Sequence, residues 1–553
     1  MISADRYPAP GKPCAGSTRM SRIEAACAGW STALVVSLSS SLPVCAVELK
    51  IDRSEGVFAD TPLGRSDVLR GRLQGSEKIA PADPDPPRSI GERAADDVKP
   101  IQLAQFQLPP RAPGGETSLL SDSATSRHRL PGTLPWELPQ RLNYQYSIGS
   151  ESEVTYLRDP DLNRTVRDNS LIAKPQLNGI IVYRPTDWLV TTLEMILEKE
   201  IPVHEESSVT LPTGETVLAP KRNSALLVDQ GYVTIRGITA PFEFNFGRRN
   251  YEDERHWLYD TSMDVASVVL RQGSFRVEAL HGREVAWDWD LIGRQATDRI
   301  DTSMLYADYR GIEDLRLSGY TIVRRDRARL EGQPRLMGVR AYGTPTEELN
   351  YWIELAYLGG RDEQARPFAA RAVDVGYTYR FPGLPMNVSA GYAFGSGDAG
   401  GSRNTEFRQS GLQSNEARFA GAAKFKYYGE VLDPELSNVH IITAGFGFRP
   451  VPTVSVDLLI HRYRLDKTAD AIRGSALTAQ MNQDDSRLSK DVGREFDVVV
   501  GIRNLFGVQR LGLDLRAGWF FPGSAYRREE GDPNNPTFRR NDRGLSVVAK
   551  IWY

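Results

Sequence analysis

The densest group of chemically competent side chains is Phe246-Gly-Arg-Arg-Asn-Tyr-Glu-Asp-Glu-Arg-His-Trp-Leu-Tyr-Asp260. Here Arg248, Arg249 and Arg255 stand among Glu252, Asp253, Glu254 and Asp260. A second group is Phe407-Arg-Gln-Ser-Gly-Leu-Gln-Ser-Asn-Glu-Ala-Arg418, continued by Tyr427-Tyr-Gly-Glu-Val-Leu-Asp-Pro-Glu-Leu-Ser-Asn438. Planar guanidinium groups take carboxylates bidentately, so both groups suit an acidic ligand. The acids carry other readings. Glu252 and Glu254 could serve as a glycosidase pair, but beside three arginines ion pairing explains them better. A calcium ion on 252–260 stays open, although the spacing matches no standard calcium loop. None of the six histidines (His128, His204, His256, His281, His440, His461) accompanies a G-x-S-x-G elbow. His256 lies near Asp253 and Asp260, but no serine stands as a nucleophile. The sequence therefore points to no enzyme, no catalytic residue and no cofactor.

Such residues need a frame, and composition restricts which. Of 553 residues, 40% are apolar and 25% charged, with a net charge of −3 and a mean hydropathy of −0.39. After residue 50 no stretch approaches the roughly 20 apolar residues of a spanning helix. Lys+Arg (68) nearly cancel Asp+Glu (71), which argues against nucleic acid as a partner. The three cysteines, Cys14, Cys27 and Cys45, all lie in the first 45 residues. Met20-Ser-Arg-Ile-Glu precedes an uncharged run from Ala25 to Val47 that ends Val44-Cys45-Ala46. Residues 1–46 thus read as a secretory signal cleaved after Ala46, with Met20 an alternative start. Pro43 and the serines oppose a buried helix, and Pro43-Val44 suits a lipoprotein signal poorly. Residues 47–135, with Pro81-Ala-Asp-Pro-Asp-Pro-Pro and Pro109-Pro-Arg-Ala-Pro-Gly-Gly, show no useful period. A disordered periplasmic extension is expected there, a linker before a partner-binding arm.

From residue 136 to 553 the text alternates. Leu511, Leu513, Leu515, Ala517, Trp519 and Phe521 make one face, and Gly512, Asp514, Arg516 and Gly518 the other. Phe496, Val498, Val500 and Ile502 alternate with Asp497, Gly501 and Arg503, and Met386 to Phe394 repeats the pattern. Period two with one apolar face means strand. Tracts near ten residues are long enough to cross a bilayer as tilted strands. Tight turns with Pro or Gly alternate with long polar loops near 202–223, 284–300, 396–438, 465–493 and 522–542. The chain ends on an alternating tract, Leu545, Val547, Ala549 and Ile551, closed by Tyr553. This predicts an all-β, transmembrane, antiparallel up-and-down barrel of eighteen strands, from about 141–157 to about 543–553. The chain ends then share the periplasmic side, and the loop 396–438 is long enough to fold inward.

With apolar faces outward, the lumen receives Lys174, Arg236, Glu243, Arg276, Glu278, Arg316, Arg324, Arg340, Glu354, Arg380, Asp497, Arg503, Asp514, Arg516 and Lys550. Arginine outnumbers carboxylate in this set, and a basic lining favours anions. For any single residue, bracing ladders of paired charge explain the pattern equally well.

The stretches 246–260 and 407–438, with the cysteine-free alternating frame and the Trp-Tyr ending, resemble the alginate export family of outer-membrane porins. The resemblance covers about residues 135–553 and leaves the proline-rich extension aside. It implies an eighteen-stranded barrel passing alginate outward through an arginine-rich constriction, beside periplasmic export scaffold proteins and without a cofactor. By motif match it implies pore-lining roles for Arg248, Arg249, Arg408 and Arg418; Arg503, Arg516, Arg236 and Lys174 follow from alternation only. The expected partners are an anionic polysaccharide, outer-membrane lipid and lipopolysaccharide. The alternative is an anion-selective porin for small acidic sugars or organic acids. The loops are too short for a receptor or adhesin without transport.

Overall fold

The computed structural model describes residues 144–162, 169–205, 209–210, 216–217, 223–237, 241–327, 332–482, 488–526 and 543–553. The signal and the extension expected over 1–135 lie outside these residues.

Eighteen strands form one closed antiparallel sheet. In chain order they are Tyr144–Arg158, Ser170–Thr186, Leu189–Glu205, Asn223–Arg236, Phe242–Glu252, Asp260–Gln272, Phe275–Arg283, Ile300–Ile312 and Leu315–Asp326. The second half comprises Gln333–Thr346, Leu349–Arg361, Ala370–Arg380, Met386–Gly395, Val439–Val451, Val454–Leu465, Asp491–Arg503, Gly512–Pro522 and Gly544–Trp552. Each pairs with its sequence neighbour, and the first closes on the last, with Ser152 opposite Ile551 and Thr155 opposite Val548. Closure leaves no sheet edge unpaired. The expected strands all occur, with ends displaced by at most a few residues.

Alternation sets which way each side chain points. Ile148 is 60% exposed, Val339 57% and Ile442 57% on the outer wall, whereas Ser147, Arg340 and Thr443 on the inner one are buried. Apolar outside and polar inside inverts the rule for a water-soluble fold, and it is what lipid demands. The shortest turns, residues 187–188, 273–274, 313–314, 347–348 and 452–453, share one end of the barrel. The long connections, including 284–299, 396–438 and 466–490, share the other. Residues 504–511 on the turn side are longer than the turn rule predicts and contain a short 3-10 turn at Leu505–Gly507.

The apolar core sits inside the barrel, where loops fold into it. Trp257, Phe407, Phe425, Tyr427, Tyr428, Leu432 and Leu436 are all buried there. The loop 396–438 descends the lumen and turns back through a small hairpin, Glu416–Ala417 paired with Phe425–Lys426. The wall makes room with glycine: a Cβ on Gly501 would meet Ala423 N at 2.7 Å and Ala422 Cβ at 2.8 Å.

Candidate functional site

The site is the lumen with its two inserted loops, 253–259 and 396–438. They are stitched together near the loop end. The Trp257 indole donates to the Tyr428 hydroxyl at 3.0 Å, Gln409 to the Trp257 carbonyl at 3.1 Å, and the Asp260 amide to the Leu412 carbonyl at 2.7 Å. Lower down the wall holds loop 396–438 through carboxylates. Glu495 accepts the amides of Val431 at 2.6 Å and Leu432 at 3.1 Å, and Tyr463 donates to the Tyr428 carbonyl at 2.8 Å.

Between the loops, His256 Nδ1 lies 2.6 Å from Asp260 Oδ2 and 3.1 Å from Ser414 Oγ. Ser414 is the serine that sequence spacing did not place beside His256. Serine and acid meet the same ring nitrogen, whereas a relay needs them on opposite nitrogens, so this is a structural clamp and not a nucleophile with its base. Ligand atoms of Glu252, His256 and Asp260 lie within 4.8 Å of one another, a grouping that could hold a metal. The Lys424 ammonium, 3.4 Å from His256 Nε2, supplies positive charge where such an ion would sit.

The arginines are spread along the lumen rather than gathered in one ring. Near the loop end, Arg324 contacts Glu284 at 3.2 Å and donates to the Ser410 carbonyl at 2.9 Å. Arg248 lies 3.5 Å from Asp264 and donates to the Glu284 carbonyl at 2.6 Å. Arg408 holds Glu363 bidentately, both contacts at 3.0 Å. Further in, Arg316 contacts Asp308 and Glu254, and Arg340 joins Glu354 at 2.6 Å and Asp253 at 2.9 Å. Arg255 reaches Asp374 at 3.1 Å and is sandwiched between the Trp352 and Tyr427 rings, 4.1 and 4.2 Å away. Arg249 lies between Tyr232 and Tyr251, 4.0 Å from Glu278. Arg516 shares Glu153, Glu416 and Glu430 at 3.6 to 3.9 Å, and Lys174 lies 3.8 Å from Glu200. On the turn side, Arg503 binds Asp514 at 2.7 Å, while Arg236 is exposed at the rim, opposite Glu243. Arg418 turns onto its own loop and donates to the Ala422 carbonyl at 2.7 Å.

Arg248, Arg249, Arg503 and Arg516 are buried on the inner side, whereas Arg236 is exposed at the rim, and the sequence tally omitted inward acids. Glu151, Asp264, Asp308, Asp374 and Glu495 are all buried on the inner face. Their signal was available, since each continues the inward register of its strand. The loop groups carry the electrical consequences. Burial works against the charge on Arg255, and Asp374 with the Tyr427 and Tyr428 rings outweighs it, so its pKa lies above the ordinary value. Burial raises Glu363, yet its hydrogen bonds to Arg408 leave it below the usual carboxylate range. Burial pushes Glu430 up despite Arg516.

Comparison with known proteins decides the family. The alginate export family matches residues 137–538. The chain belongs to the alginate export family. The alginate production protein AlgE of Pseudomonas aeruginosa is 28% identical over 396 residues, covering 60% of this chain and 76% of that protein. Its counterpart in Azotobacter vinelandii is also 28% identical, over 172 residues, covering 28% of this chain and 35% of that protein. Among solved structures, Pseudomonas aeruginosa OccK11 (OpdR) aligns over 74% of this chain and 95% of its own, at 11% identity and a TM-score of 0.46. As an alginate export family barrel with an apolar outer wall, the protein is an outer-membrane channel. Its turns accordingly face the periplasm and its long loops the exterior.

Proposed function

We propose that this barrel conducts an alginate-type polyuronate outward across the outer membrane, by way of its lumenal arginines. The observation that carries the reading is the succession of guanidinium–carboxylate contacts down the lumen, from Arg324 with Glu284, through Arg340 with Glu354, to Arg503 with Asp514. A polyuronate brings one carboxylate per sugar. Each can take the place of a protein carboxylate on a guanidinium fork, so the chain advances by exchange between similar partners. The relatives' names, alginate production protein, agree with this substrate. The exposed apolar belt faces lipid and lipopolysaccharide, and the periplasmic turns are where export scaffold proteins would dock.

A second reading, an anion-selective porin for small acidic sugars or organic acids, draws on the inserted loop 396–438, which narrows the lumen. Two measurements separate the readings. In a planar bilayer the polymer channel prefers chloride to potassium and is transiently blocked by polymannuronate. A deletion strain retains its polymer in the periplasm if export is the role. Normal secretion in that strain, with conductance blocked by small organic acids alone, favours the second reading.

A further inference from the structure

The outer wall carries a charge pattern of its own. Six consecutive strands, from Phe275–Arg283 to Ala370–Arg380, bring Arg283, Arg325, Arg335 and Arg371 to lipid-facing positions at their external ends. Alternation sets this: Arg325 continues the outward register of Thr321 and Val323, Arg335 that of Met337 and Val339, and Arg371 that of Val373. Among the described residues, Asp301 is the single carboxylate at an outward position in the external half of these strands. It is taken by Arg283 at 2.7 Å and by Arg327, just past its strand, at 2.8 and 3.1 Å. The guanidinium groups of Arg325, Arg335 and Arg371 make no hydrogen bond or ion pair among the described residues, and all three side chains are exposed. Directly on the membrane side of Arg335 and Arg371 the wall is hollowed into an apolar groove of about 720 Å³. Gly319 floors it, with Ala307 and Val339 as its ladder partners and Leu305 and Tyr357 beside them. Arg335 stands two residues beyond Met337 of the groove, and Arg371 is the ladder partner of Tyr357. A Cβ on Gly319 would meet nothing nearer than the Gly338 carbonyl oxygen at 3.8 Å, so the hollow is open space on the lipid side.

We propose that this stretch of outer wall is a binding site for a bis-phosphorylated, multiply acylated glycolipid of the outer leaflet, the lipid A class. Its phosphates lie on Arg325, Arg335 and Arg371, and one acyl chain lies in the groove over Gly319. Guanidinium forks match phosphate oxygens bidentately, and at the headgroup level these forks have no protein acid to hold them. Arg335 and Arg371 are two strands apart, roughly 10 Å along the wall, and Arg325 is one strand further on the other side. Two phosphates held apart by two sugar rings engage both ends of such a row, whereas a glycerophospholipid brings one phosphodiester and reaches one end. The groove supplies the second criterion. Acyl chains gain nothing by leaving an apolar phase for an apolar wall, so only close packing distinguishes one stretch of wall from the next. The site needs the membrane location alone and is independent of what the lumen conducts.

The test titrates the barrel in detergent micelles with hexa-acylated, bis-phosphorylated lipid A and counts bound molecules by native mass spectrometry. One molecule binds per barrel, at least about tenfold more tightly than monophosphoryl lipid A or phosphatidylglycerol. Arg335→Gln with Arg371→Gln weakens it by at least about tenfold. Arg462→Gln, at an exposed outward arginine on the distant strand Val454–Leu465, leaves it unchanged. Gly319→Leu fills the groove from the lipid side and also weakens binding by at least about tenfold. All these substitutions point into lipid or water, and an unaltered chloride conductance in a planar bilayer certifies that each barrel is intact. If the double arginine variant binds lipid A as tightly as the parent, or phosphatidylglycerol competes on equal terms, the wall holds annular lipid alone and the site is refuted. If Gly319→Leu leaves lipid A binding unaltered but converts a dimer into a monomer, the groove is a contact between two copies of this chain and the proposal falls.

Discussion

Arg340 offers the strictest test of how the inserted loops are held. Its side chain is wholly buried, with Nε 2.6 Å from Glu354 and Nη1 2.9 Å from Asp253 of loop 253–259. Tyr320 donates to the same Glu354 carboxylate at 2.7 Å, and Asp253 also accepts the Leu258 and Tyr259 amides. Arg340→Met keeps most of the aliphatic volume, so lost packing contributes little. It leaves two buried carboxylates facing each other without their cation. Removing one partner from such a group costs about 3–5 kcal/mol, whereas removing all its charges is close to neutral. The single variant should therefore lose that amount in urea unfolding from detergent micelles, followed by tryptophan fluorescence. Arg340→Met combined with Asp253→Asn and Glu354→Gln should recover most of it. A single variant within about 1 kcal/mol of the parent, or a triple variant no better than the single, refutes the argument that buried ion pairs set the position of this loop.

Other consequences are as direct. Asp362 accepts hydrogen bonds from Asn404, Arg366 and two backbone amides; burial raises its pKa, but these bonds leave it lowered. Its contribution is therefore complete above the unfolded value near ~3.9 and lost as pH falls through the lower folded value. Amides 364–366 should lose hydrogen-exchange protection in that acid range, and Asp362→Asn should abolish the pH dependence. Trp257 packs on Phe407 at 6.2 Å between ring centroids and donates to Tyr428, so Trp257→Ala should lower stability by about 3–5 kcal/mol in the same urea assay. Gly501→Val should push the loop tip off the wall and raise open conductance, because its Cβ meets Ala422 and Ala423 within 3 Å. Gly179→Ala, with nothing within 4 Å of the added carbon, should change stability by less than about 1 kcal/mol and conductance not at all.

The wall was legible because each residue's orientation depends only on its neighbours two positions away. Ile442 and Phe446 outward, with Thr443 and Gly445 inward, follow from period two alone. The third strand runs into the tract read as the polar loop 202–223: its ladder continues past Pro202 to His204 and Glu205, where the register shifts. The charge pairing was not legible. Arg255 meets Asp374 across 119 residues and Arg340 meets Asp253 across 87, contacts that exist only once the sheet has closed in register. The descent of loop 396–438 left one trace, the inward glycines Gly501 and Gly518, which remove side chains where the loop passes. At these two positions the inward glycine marks an interior occupant.

Paired charge in the lumen bears on how a polyanion moves. A row of bare guanidinium groups would bind each uronate deeply and hold the chain. Where a fork already has a carboxylate, each advance exchanges one charge-assisted bond for another, and the wells become shallow. Arg408 at the external side separates this account from simple bracing. It is held bidentately by Glu363, with Glu406 at 3.6 Å and the Phe368 ring behind it. Glu363→Gln removes the main competitor and leaves the fork in place. If exchange governs transit, polymannuronate should dwell longer at each blocking event, by roughly tenfold for about 1.4 kcal/mol of deeper binding. Arg408→Glu should shorten the same events and weaken chloride preference. If Glu363 merely braces the loop, Glu363→Gln lowers thermal stability and leaves blocking times unchanged, and the two variants no longer act in opposite directions.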